Sequence, residues 1–80
     1  MKYSKRPPTE EMIRKLKKCL EREENENQPF LAEEMKSSMP GLYKRGLILT
    51  KMENVGNKRL LCIYVSEAGK EFLKNLEAEN

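Results

Sequence analysis

Apolar residues between Met12 and Leu20 recur at helical steps. Met12, Ile13, Leu16, Cys19 and Leu20 share one stripe, while Arg14, Lys15, Lys17, Lys18 and Arg22 occupy the opposite face. Thr9 is suited to cap this segment, and Glu10 and Glu11 place negative charge in its first turn, where the helix dipole favours it. The pattern predicts a helix over about residues 10–23, followed by a polar connector from Glu24 to Gln28. Pro29-Phe30-Leu31 reads either as a short strand or as the lead into a second helix, in which Leu31 and Met35 form an i, i+4 apolar pair. Ser37 or Ser38 can cap a third, short helix that tolerates Pro40 in its first turn and ends at Gly46, a residue able to take positive φ.

Beyond Gly46 the period changes. Leu47 to Glu53 reads as a strand, with Ile48, Thr50 and Met52 on one side and Leu47 and Leu49 on the other. Asn54-Val55-Gly56-Asn57 supplies a turn. Arg59 to Val65 is a second strand, rich in β-branched and aromatic residues. Ser66 caps a last helix whose expected stripe is Ala68, Phe72, Leu73 and Leu76. The expectation is an α+β domain over residues 9–80, preceded by a flexible basic arm over residues 1–8 that Pro7-Pro8 closes.

The chain has 80 residues and a net charge of only +3, but the charge is segregated. Residues 1–20 carry a net +5, residues 21–35 a net −5, residues 36–59 a net +5 and residues 60–80 a net −2. Such blocks point to separate basic and acidic faces. The second basic block holds Lys36, Lys44, Arg45, Lys51, Lys58 and Arg59 against Glu53 alone.

The chain contains no His and no Asp, so the usual catalytic triads and most metal-assisted schemes lack their residues, and no catalytic site, metal or cofactor is expected. Cys19 and Cys62 have no CxxC partner, and they read as buried small hydrophobes. No glycine spacing matches a phosphate-binding loop. No apolar run approaches the roughly 20 residues of a membrane helix, and the basic N-terminus has no apolar stretch behind it, so the protein is expected in the cytoplasm.

Two segments carry a resemblance. Leu42-Tyr43-Lys44-Arg45-Gly46-Leu47-Ile48 is a short basic helix closed by glycine and running into a strand, and Tyr64-Val65-Ser66-Glu67-Ala68-Gly69-Lys70 is a strand handing over to a capped helix. With the hairpin between them, they resemble the back half of a winged helix-turn-helix domain of the MarR and PadR regulator type. The resemblance covers about residues 10–77 and is specific only over about residues 42–72. It implies three helices, a two-stranded β-hairpin wing and a C-terminal helix. It also implies sequence-specific binding of double-stranded DNA by a small transcriptional regulator, with repression as the expected mode.

On that resemblance the recognition helix would offer Lys36, Ser37, Ser38, Tyr43 and Lys44 to the major groove, with Arg45 toward the backbone side. The alternative for this segment is a short connecting helix in which Leu42, with or without Tyr43, is simply core. The wing would bring Lys51, Asn54, Asn57, Lys58 and Arg59 to phosphates or the minor groove. The arm residues Lys2, Lys5 and Arg6 would follow the backbone. Homodimerisation through helix 1 and the C-terminal helix (Phe72, Leu73, Leu76) would space two recognition helices by roughly 34 Å. The competing expectation is a winged-helix adaptor that binds another protein in a transcription or replication assembly, for which the acidic block, including Glu33 and Glu34, would be the contact surface.

Overall fold

The computed structural model describes residues 7–78. Its elements run α1 (Glu10–Glu21), β1 (Phe30–Leu31), α2 (Ala32–Met35), α3 (Ser38–Lys44), β2 (Ile48–Val55), β3 (Lys58–Val65) and α4 (Glu67–Ala78). The strands form one antiparallel sheet in the order β1-β3-β2, and the chain is of the α+β class expected from its pattern. Leu16, Met35, Leu42 and Ile63 are fully buried where the helices meet the inner face of the sheet.

α1 begins where the capping chemistry places it. The Thr9 hydroxyl accepts the Met12 N–H at 3.2 Å. The helix does not give way to a loop at its end, because a single π-helical turn, Arg22–Glu26, continues it and stops at Asn27 in the left-handed region (φ 52°). Asn tolerates that conformation better than most residues. The widened turn has a consequence for the sheet. β1 pairs only Phe30 with Ile63 and Leu31 with Cys62, so it ends short of Val65. The Glu23 carboxylate, carried on the π turn, accepts the Val65 N–H at 3.2 Å and satisfies a donor that β1 does not reach.

Phe30 and Leu31 form a strand and lead directly into α2, so both readings of that segment are realised in sequence. The hairpin is tighter and longer than its pattern suggests. β2 and β3 pair from Ile48↔Val65 to Val55↔Lys58, which leaves only Gly56 and Asn57 in the turn. Gly56 has φ 66° and Asn57 is not left-handed, the φ signs of a type II′ turn, in which glycine takes the first central place. Within β2 only Ile48 is buried. At roughly 3.3 Å per residue, most of the roughly 26 Å strand therefore extends beyond the core.

α4 is fastened at its first turn. The Ser66 hydroxyl donates to the Gly46 carbonyl at 2.6 Å and accepts the Gly69 N–H at 3.0 Å. The apolar stripe differs from the expected one by one position. Ala68 is exposed and Gly69 is buried in its place, beside Phe72 and Leu73. The reason is steric: a Cβ on Gly69 would collide with the Leu47 carbonyl oxygen and stand 2.7 Å from Val65 Cγ1. Of the residues expected at a dimer face, Leu73 is buried at 4% exposure, while Phe72, which packs against the core, and Leu76 are half-buried.

Both cysteines are free and buried. Burial, with Glu23 nearby, pushes the Cys19 thiol up to about 12, and its sulfur lies 3.4 Å from the Ile63 carbonyl, to which it donates. Such a thiol is a packing group.

Gly69→Ala should cost about 2–3 kcal/mol, because the clash is with backbone that has no room to move. Urea unfolding would show a lower midpoint at unchanged slope. An unchanged midpoint would mean that α4 is not seated on Leu47.

Candidate nucleic-acid interface

The turn between α2 and α3 is built on Lys36. Its backbone lies at φ 53°, ψ −131°, a conformation natural to glycine and strained for lysine. The turn is held from both sides. The Lys36 N–H donates to Ala32 O at 3.2 Å, and its carbonyl accepts the Met39 N–H at 3.3 Å. The side chain of Lys36 is exposed, as is that of Ser37.

α3 begins at Ser38, so Ser37 holds the N-cap position. Ser37 is already helical (φ −69°, ψ −12°) and its side chain makes no capping bond. Ser38 packs inward, where it is only 4% exposed. It is not a surface residue, and its expected place among the groove contacts is corrected. Leu42 is core at 0% exposure, while Tyr43 is 54% exposed and Lys44 is exposed. Arg45 turns back along the helix and donates from its guanidinium to Gly41 O at 2.8 Å. Gly46 takes the left-handed φ of 69° that ends the helix.

The hairpin residues divide between two faces. In the observed register Lys51 and Lys58 lie on the outer face, while Asn54 and Arg59 lie on the face that continues the core side, and Asn57 sits in the turn. All five are exposed. Leu49 (58%), Met52 (47%) and Val55 (36%) are exposed beside them. Lys2, Lys5 and Arg6 lie outside the described residues.

Four of the described cations outside the second basic block, Arg14, Lys15, Arg22 and Lys70, are engaged, while Lys17, Lys18 and Lys74 are exposed without an ion pair. Arg14 pairs with Glu11, and Arg22 grips Glu34 with bonds of 2.9 and 2.8 Å. Lys15 donates to the last carbonyls of α2, those of Glu34 at 2.8 Å and Met35 at 3.3 Å. Within the block Lys36, Lys44, Lys51, Lys58 and Arg59 form no ion pair among the described residues. The one carboxylate of that block, Glu53, accepts the Tyr64 hydroxyl, and this bond, with burial, pushes the Tyr64 phenol up to about 12. Unpaired, exposed cations set a positive potential that attracts polyanions.

Within the acidic block Glu34 has a structural role. Burial opposes ionisation of Glu34, but the Leu31 N–H at 3.0 Å and the Arg22 guanidinium outweigh it and hold its carboxyl below the usual range. Arg22 also stacks over the Phe30 ring at 4.6 Å. The placement of Glu34 three residues after Leu31, at the start of a helix, is half of a capping box, and that spacing was the available signal. Nothing in the spacing marks the long-range partners of Lys15, Arg22 and Glu23. No helix among the described residues is long and apolar enough to cross a membrane, and no cluster of three potential metal ligands occurs among them.

Two outcomes follow from this geometry. Lys36→Gly should raise stability by about 1 kcal/mol, because relief of backbone strain of about 1–3 kcal/mol exceeds the added chain entropy; a lower urea midpoint would contradict the strain. Glu34 is held below its unfolded pKa, so its contribution is present above that value and is lost as pH falls through the folded one. The wild-type stability should therefore drop between about pH 5 and pH 3, and Glu34→Gln should lower it by about 1 kcal/mol or less near neutrality, because solvent screens a partly exposed pair, while flattening the acid limb. Equal acid limbs would remove Glu34 as the source.

Comparison with known protein families, with curated proteins and with solved structures finds nothing that matches this chain.

Proposed function

We propose that this protein is a small winged helix-turn-helix regulator that binds double-stranded DNA through the α2–α3 turn, the exposed end of α3 and the β2–β3 hairpin. The observation that carries the reading is the set of five exposed cations without ion pairs in one continuous block, Lys36 to Arg59. The order of three helices, the β2–β3 hairpin and α4 supports the same reading.

The division of labour follows from chemistry. Lys51, Lys58 and Arg59, on a hairpin that extends past the core, suit phosphate contacts, which give affinity and salt dependence. Tyr43 and Lys44 are the exposed α3 side chains left for base edges. A helix of seven residues offers few such contacts, so discrimination between sequences would be modest for one copy. A twofold pairing on DNA through α4 would use its half-buried Phe72 and Leu76, since Leu73 is already covered within the chain. For the adaptor reading, Glu23 and Glu34 bind within the chain, while Glu21, Glu24, Glu26 and Glu33 remain exposed as an acidic surface.

Replacing Lys58 and Arg59 together by Ala tests this directly. Duplex affinity should fall about equally for unrelated sequences, and the slope of log affinity against log salt should flatten by roughly 2. Unchanged affinity and slope would remove the hairpin from the interface.

A further inference from the structure

A cleft of about 370 Å³ opens between α1 and the α2–α3 turn. Its walls carry five cations: Arg14, Lys15, Lys18 and Arg22 from α1 and the turn that follows it, and Lys36 from the opposite side. Two carboxylates, Glu11 and Glu34, also line it, and both are already engaged. Glu11 pairs with Arg14 and stands 4.0 Å from Lys15, and Glu34 is held by Arg22 and the Leu31 N–H. The lining therefore has an excess of three positive charges, and Lys18 and Lys36 face it without an ion pair among the described residues.

We propose that this cleft is a binding site for a phosphate-bearing anion. A phosphate offers enough oxygens to meet Lys18 on one wall and Lys36 on the other at once, and the engaged Arg14, Lys15 and Arg22 add to the positive potential around it. The frame is rigid where it must be. Lys15 is tied to the α2 carbonyls, and Arg22 is clamped between Glu34 and the Phe30 ring. The strained backbone of Lys36 fits the same purpose. A glycine would form the turn without strain, yet the chain places a cation there, at the edge of the cleft, and strain of this kind concentrates at ligand clamps. The proposal does not rest on the DNA reading, because Lys36 is the only residue the cleft shares with the α3 and hairpin surface.

The test is an amide NMR titration of the full chain with inorganic pyrophosphate at fixed ionic strength. Saturable shifts confined to residues 14–22 and 34–36 are expected. Lys18→Gln combined with Lys36→Gly should weaken binding by about tenfold or more. Lys36→Gly relieves strain, so that loss would not reflect unfolding, which the variant's own spectrum checks. Lys58→Ala with Arg59→Ala should leave pyrophosphate binding unchanged even if it abolishes duplex binding, which separates failure of this site from failure of the DNA reading. Shifts that grow linearly over all exposed lysines, or equal affinity in the cleft variant, would overturn the proposal. Adding a random duplex then distinguishes the source of the phosphate: displacement of pyrophosphate assigns the cleft to the nucleic-acid backbone, and simultaneous binding assigns it to a free phosphate compound.

Discussion

The carboxylate of Glu34 joins three elements that have little stability of their own. It takes two bonds from Arg22 just past the end of α1 and one from the Leu31 N–H of β1, while the carbonyl of the same residue accepts from Lys15. α2 has four residues and β1 has two, far fewer than an isolated helix or strand needs to persist in water. Their positions are therefore set by what holds them against α1. From that anchor follow the turn at Lys36, the start of α3 and the direction in which Tyr43 and Lys44 emerge.

The same arrangement divides the charges into two kinds. On the α1 side two cations hold α1 to α2: Arg22 in an ion pair with Glu34, and Lys15 on the carbonyls of Glu34 and Met35. Beyond the turn the cations of the second basic block, Arg45 aside, have no internal duty that the described residues reveal. Self-repulsion among unpaired like charges costs stability, and strained backbone at Lys36 adds to that cost. A polyanionic partner relieves the repulsion, and this is the physical core of the proposed DNA reading.

Where local chemistry determined the conformation, the sequence was readable. Thr9 and Ser66 cap the helices they precede, Gly46 ends α3, and the alternation of the hairpin residues was correct with its turn shortened to two. Where long-range packing decided, it was not. Ser38 and Ala68 read as a cap and as a stripe residue, but Ser38 is the first residue of α3 and packs inward, and α4 presses Gly69 against Leu47, which leaves Ala68 outward. The π turn, the pairing of Glu23 with Val65 and the left-handed Lys36 depend on partners in space that no spacing announces. Among the candidate contacts, exposure was anticipated for the hairpin residues and misjudged for Ser38.

Fluorescence anisotropy of the unaltered protein with a random-sequence duplex, across a series of salt concentrations, addresses the central claim most directly. With three to five phosphate contacts, affinity in the micromolar range at low salt should fall with a log–log slope of about −3 to −5. Absence of binding at low salt, or affinity indifferent to salt, would contradict a phosphate-contacting surface on α3 and the hairpin.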